Sequence, residues 1–217
     1  MARPKNVTVQ RNTNQPDGKE RERPFPPGRI KIAKAFISLL ERKEFGGITT
    51  AEIAKSAGVT EALIYKYFED KRGLLHQVLK EYLEQYLVQF ERDLKGIKGS
   101  LNKLRKLIWS HISVYSTNRV FARILFLEVR NHLDYYKSDT YELVKSYSKI
   151  LLEIIEEGVR NGEIRSDVPP KLIRQVIFGS IEHVCLTGVI FKGEISPDDL
   201  TEDLCKFIFR GIEAPRE

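Results

Sequence analysis

Cysteine is scarce in this chain: 217 residues contain two, Cys185 and Cys205. Neither has a partner at a metal-ligand spacing, and both sit in apolar helical patterns. Buried free thiols are therefore expected rather than a disulfide framework, and with them a reducing cytoplasm. Several enzyme signatures are also missing: a nucleophile elbow, a phosphate-cradling glycine loop, a zinc spacing and a paired-carboxylate motif. The histidines His111, His132 and His183 fall in no Cys/His/Glu pattern, so they are read as satisfied or exposed, and neither a metal nor another cofactor is expected. No segment keeps up strand alternation, which predicts an all-α fold. No apolar run approaches the roughly 20 residues that cross a bilayer, and the N-terminus lacks the apolar core of a secretory signal, so no membrane partner is expected.

What is present is a basic chain with enough apolar residues for a full core. Hydrophobic residues make up 41%, and the net charge of +6 favours a polyanionic partner without identifying one. The excess is concentrated: residues 29–80 hold ten Lys and Arg against six Asp and Glu. Residues 1–27 carry Arg3, Lys5, Arg11, Lys19, Arg21 and Arg23 among Pro, Asn, Gln and Thr, with no apolar period. They read as a disordered basic arm, either a solubilising tail or an extension adding minor-groove or phosphate contacts.

The densest signal lies in residues 49–71, TTAEIAKSAGVTEALIYKYFEDK. Thr49 and Glu52 have the spacing of a reciprocal capping box ahead of the apolar pair Ile53 and Ala54, so a helix starts here. Gly58 ends it, because glycine accepts the left-handed geometry that turns the chain. Thr60 is placed to cap a second helix. On that helix Ile64 and Phe68 form an inward stripe at about 100° per residue, while Ala62, Tyr65 and Lys66 lie on the opposite side. A small residue, a hydrogen-bonding ring and a cation suit base edges and phosphates; the same residues are also ordinary on a solvated helix with Tyr67 packed beneath.

These residues resemble the DNA-binding domain of the TetR family of transcriptional regulators. The likeness covers residues 29–80: a first helix (IKIAKAFISLLERKEF), a threonine-capped second (TTAEIAKSAGVT), a recognition-type helix ending IYKYF, and an EDKRGLL entry to a long fourth. The resemblance implies that Thr50 touches a phosphate, that Thr60, Glu61 and Ala62 lie near the bases, and that Tyr65, Lys66 and Tyr67 reach backbone or bases. It also gives Lys71 a phosphate contact at the start of the fourth helix. Two residues depart from what such a site favours. Glu61 brings negative charge to a groove lined with phosphates, which calls for a cytosine amine or a nearby cation. Gly73 stands where a Glu would complete a capping box with Asp70, which predicts a looser helix entry.

The rest of the chain reads as amphipathic helices at 74–94, 101–116, 121–135, 140–160, 172–191 and 199–212, with Asn161-Gly162, Pro169-Pro170 and Ser196-Pro197 as punctuation. The expected domains are the arm at 1–27, a helix-turn-helix domain at 28–73 and a regulatory and dimerisation domain at 74–217. Residues 172–191 are apolar around most of their surface, with Gly179, Ser180 and Gly188 as small interruptions. They fit a buried core helix or, with residues 199–212, half of an intersubunit four-helix bundle. The resemblance favours the second, a homodimer through residues 171–212 whose two recognition helices read a pseudo-palindromic operator.

Trp109, Ile112, Tyr115, Phe126, Val129, Tyr147 and Phe178 are large side chains in segments that must face one another, material for a pocket or for a plain core. The resemblance implies a small-molecule effector here. The stretch GVRNGEIRSDVPPKLIRQVIFGSIEHV is further similar to fatty-acid regulators of that family, which implies acyl-CoA or another apolar ligand. The expected function is a ligand-responsive regulator, a repressor by resemblance, in which the helix 74–94 acts as a lever carrying Lys71. The alternative is a helical small-molecule-binding or interaction protein that has lost sequence-specific DNA binding, for which Glu61 and Gly73 argue.

Overall fold

The computed structural model describes residues 25–214. The basic arm, up to residue 24, lies outside the described residues, and its predicted end is overrun because α1 already begins at Pro27. Proline at the first turn costs no hydrogen bond there. The described chain is all-helical apart from an isolated bridge between Ile164 and Glu213. α1 (Pro27–Leu40), α2 (Thr50–Ala57) and α3 (Glu61–Phe68) pack on one another and on the start of α4 (Lys71–Leu94). Ile32, Phe36, Ile53, Ile64, Phe68 and Leu74 close that small core.

α4 leaves this unit with Leu75, Leu79, Leu83, Leu87 and Phe90 buried, a stripe at four- and three-residue steps. Beyond it α5 (Ser100–Thr117) packs against α7 (Asp139–Arg160), α8 (Pro170–Phe191) and α9 (Pro197–Ile212). The free amides at the N-terminus of α5 are capped from a distance: Ser100 N donates to the Glu163 carboxylate at 2.7 Å.

The single helix expected over 121–135 is broken. The chain forms a short α6 (Arg119–Arg123), a π-helical turn over Ile124–Val129, and a 3-10 turn over Leu133–Lys137. Ile124, Leu125, Phe126 and Val129 are all buried, an apolar arc too wide for one face of an α-helix, and the wider π turn accommodates it. A second difference concerns α8. Contrary to the expectation of no run of spanning length, its 22 residues are long and apolar enough to cross a membrane by length and composition alone. Ile173, Ile177, Ile181, Cys185 and Val189 are buried among other helices. Cys185 and Cys205 are free and buried, as expected, and burial pushes the Cys185 thiol up to about 11.

Candidate DNA-binding surface and effector cavity

The turn between α2 and α3 forms as its residues dictate. Thr49 accepts from the Glu52 amide at 3.1 Å, and Gly58 adopts φ 65°. The reciprocal half of the capping box is absent, because the Glu52 carboxylate pairs with Lys43 at 2.7 Å. Thr60 occupies the cap position of α3 but makes no side-chain cap bond. Ile64 and Phe68 point inward, and Thr60, Glu61, Ala62, Tyr65 and Lys66 are exposed on the outer side. Tyr67 is partly buried against the core.

Thr50, at the start of α2, donates to Glu61 at 2.7 Å, and the Tyr65 hydroxyl lies 3.4 Å from the Thr50 oxygen. The carboxylate that looked misplaced is thus tied to the neighbouring helix by a hydroxyl rather than by a cation. Lys71 is engaged too. Its ammonium donates to the carbonyls of Phe45 and Ile48 at 2.8 and 2.7 Å and lies 4.3 Å from the Phe45 ring centroid. One of its three protons is left for another acceptor.

The α3–α4 joint corrects the reading of Gly73. Glu69 adopts φ 65° and ψ −51°, and Asp70 N donates to Phe68 O at 2.7 Å, a γ-turn of the rare positive-φ kind. The Phe68 carbonyl is thereby driven against the first turn of α4, so that a Cβ on Gly73 would lie 2.0 Å from its oxygen. The entry is tight and needs glycine, and Asp70 still caps it by accepting from Gly73 N at 2.6 Å.

In the second domain a cavity of about 180 Å³ opens between α4, α5, α6, the π turn, α7 and α8. Leu83, Val114, Phe121, Leu125, Val144 and Phe178 supply its apolar wall. Three of the seven residues expected there, Tyr115, Tyr147 and Phe178, line it. The other four do not. Ile112 and Val129 are fully buried core, and Phe126 lies behind Tyr115 with ring centroids 4.8 Å apart. Trp109 faces away and donates to Asp198 of α9 at 2.7 Å. Helical period identified the apolar residues but not which of two buried directions each takes.

The polar wall escaped sequence reasoning. Tyr86 donates to the Tyr147 hydroxyl at 3.2 Å, Tyr147 lies 3.4 Å from His111 Nδ1, and His111 Nε2 lies 2.7 Å from the Tyr115 hydroxyl. Burial lowers His111 to about 3, aided by the nearby Arg130 charge, so the imidazole is neutral and offers one donor and one acceptor. When the Tyr147 hydroxyl donates a hydrogen bond to Nδ1, His111 donates through Nε2, and the Tyr115 proton is unspent. Burial also pushes Tyr115 and Tyr147 well above the usual phenol range. Beside them Arg130, at the end of the π turn, donates to Glu182 of α8 at 2.5 Å. His111 was expected to be a satisfied or exposed histidine. It is satisfied, yet it belongs to the cavity wall, while His132 and His183 are exposed.

Structural links join this cavity to the N-terminal unit, among them α4 and an ion pair from the segment before the π turn. α4 contributes Leu83 and Tyr86 to the wall and carries Lys71 at its other end. Arg123, just before the π turn, pairs with Glu44 of the α1–α2 connection. Sequence spacing gives no hint of this pair, which spans 79 residues.

Comparison with known proteins supports this layout. Residues 32–78 match the family described as bacterial regulatory proteins, tetR family, and residues 79–211 match the YsiA-like protein, C-terminal region, family. The chain is 28% identical to the fatty acid metabolism regulator protein of Bacillus subtilis over 86% of this chain and 96% of that protein. It is 30% identical to the probable regulator YttP of the same organism, over 67% of this chain and 72% of the relative. The crystal structure of FadR from Bacillus subtilis in complex with stearoyl-CoA superposes with a TM-score of 0.76 at 29% identity, covering 85% of this chain and 99% of that one. A helix-turn-helix with an exposed outer face, a long connecting helix and a hollow second domain thus occur together in one chain, which belongs to the TetR family of ligand-responsive transcriptional regulators.

Proposed function

We propose that this regulator binds a pseudo-palindromic operator as a homodimer and that an acyl thioester in the second-domain cavity changes its affinity for that DNA. The observation that carries the reading is the polar-ended apolar cavity whose wall includes α4, the helix that continues into the DNA-side unit. Its about 180 Å³ is below the roughly 300 Å³ at which ligand pockets usually begin, so a long acyl chain must part the helices around it. Such parting moves Leu83 and Tyr86 on α4 and Leu125 beside Arg123, and so works on both of those links to the N-terminal unit. The relative crystallised with stearoyl-CoA supports the chemical class.

On the DNA side, Thr60, Ala62 and Tyr65 would approach base edges, while Thr50, Lys66, Tyr67 and the spare proton of Lys71 reach phosphates. Glu61 would act as a restraint, since Thr50 must leave it to serve a phosphate. Dimerisation is assigned to α8 and α9 within residues 171–212, where Leu172, Val176, Phe191 and Phe207 stand 46–78% exposed and a Cβ on Gly179 or Gly211 would meet nothing within 4 Å. Gly188, one of the small interruptions of α8, is taken up by packing on Ile195 of its own chain. The protein acts where its DNA is, in the cytoplasm.

Fluorescence anisotropy on DNA upstream of the chain's own gene tests the DNA half. Lys66→Ala is expected to weaken binding and lower the salt slope by about one, and Tyr65→Ala to cost about 1–3 kcal/mol of sequence preference. Affinities equal to the parent protein at matched salt would contradict the assignment. For the dimer, Phe207→Glu is expected to sediment as a monomer; an unchanged dimer would move the interface elsewhere.

A further inference from the structure

The cavity holds one charged pair, and its place among uncharged donors bears on which acyl compounds can enter. Arg130 Nη1 and Glu182 Oε1 are 2.5 Å apart, and both side chains are about one-third exposed, 36% and 37%, at the cavity wall. The guanidinium is therefore already neutralised by a carboxylate of the protein. Next to it stand His111, kept neutral by burial, and Tyr115, whose hydroxyl lies 2.7 Å from His111 Nε2 and keeps its own proton for a ligand in the tautomer where His111 donates through Nε2.

An incoming acyl head group meets two unequal options. A neutral carbonyl oxygen accepts from Tyr115, and no charge leaves water. A free carboxylate seeks Arg130, where it must either displace Glu182, leaving that carboxylate without its cation, or stand beside it as a like charge in a half-buried site. Arg130 alone would attract fatty acids; Arg130 with Glu182 does not. We infer that Glu182, by holding Arg130, is the residue that excludes free fatty acids from the cavity and leaves it selective for acyl thioesters and other neutral acyl esters. This rests on the acyl reading of the cavity proposed above. It adds a specificity determinant which that reading does not require.

The test uses the full-length protein and three probes of equal chain length, dodecanoyl-CoA, methyl dodecanoate and dodecanoic acid, each titrated calorimetrically at neutral pH and matched salt. The ester is expected to bind at least tenfold tighter than the acid. Glu182→Gln, which frees Arg130 while keeping the shape, is expected to shrink that ratio at least tenfold by strengthening acid binding. Arg130→Gln, which leaves Glu182 unpaired, is expected to widen it, so the two variants move the same ratio in opposite directions and a general loss of fold cannot imitate them. An ester-to-acid ratio near one in the parent protein, or one that Glu182→Gln leaves unchanged, overturns the inference while dodecanoyl-CoA binding still upholds the acyl reading. If dodecanoyl-CoA does not bind the parent protein, the acyl reading fails and this inference fails with it.

Discussion

The two functional regions are built in opposite ways. The proposed reading face of α3 is one side of a single short helix set on a solid core, with Ile64 and Phe68 buried beneath it and Ala62, Tyr65 and Lys66 exposed above. The cavity is a gap in a core, walled by residues from position 83 to position 182, with a chain of polar side chains buried inside it. The first region needs a rigid support, because bases and phosphates are recognised by fixed geometry. The second needs a yielding one, because a ligand can shift an equilibrium only where two packings are both within reach. α4 and the γ-turn before it connect rigid to yielding, and the Arg29–Glu81 and Arg123–Glu44 pairs add contacts between the two.

Substitutions can break this contrast, and the largest effect is expected at the joint. Gly73→Ala would drive a methyl group onto the Phe68 carbonyl, from a Cβ position 2.0 Å away. A loss of about 3 kcal/mol is expected, at the upper end of overpacking costs, read by chemical denaturation; a neutral outcome would show that the joint is soft.

A smaller effect is expected from the cavity's neutral histidine. His111 is lowered from 6.5 to about 3, so below pH 6.5 the unfolded chain takes up a proton that the folded one refuses. The folded protein must then lose stability as pH falls through that window, and none of this loss occurs above it. Replacing His111 by Phe should flatten the acid slope, with a difference of about 2 kcal/mol between neutral pH and about pH 4.5. Parallel pH–stability curves for the two proteins would mean that the histidine is not held neutral by the fold.

The smallest expected effect sharpens the contrast. Glu69→Gly relieves a positive-φ residue and should stabilise the chain by about 1 kcal/mol, while loosening the transfer of movement from α4 to α3. Thermal denaturation reads the first change, and the ligand-induced shift in DNA affinity reads the second. Destabilisation would place the Glu69 side chain in a role that its backbone does not reveal.

The difference between the regions also decides what the sequence could reveal. α3 lies in one contiguous stretch with cap, glycine and stripe at fixed offsets, so Ala62, Tyr65 and Lys66 could be set on the outer face from period alone. Tyr115, Tyr147 and Phe178 stand out in the sequence as large residues in segments that must face one another. Ile112 and Val129 met the same criterion and proved to be plain core, because period tells inward from outward but not which neighbour is met. Arg130 and Glu182 are charged, and that reads as exposure until the π turn swings one toward the other. Gly73 departs from expectation for a related reason: a capping rule assumes an ordinary helix entry, and the γ-turn at Glu69 makes this one otherwise.

Measuring the affinity of the purified protein for its upstream DNA, with and without saturating dodecanoyl-CoA at fixed salt, tests the central claim most directly. The account predicts a change of at least tenfold, within the roughly 5- to 150-fold range of typical allosteric coupling. An unchanged affinity, with calorimetry showing the cavity filled, would contradict it.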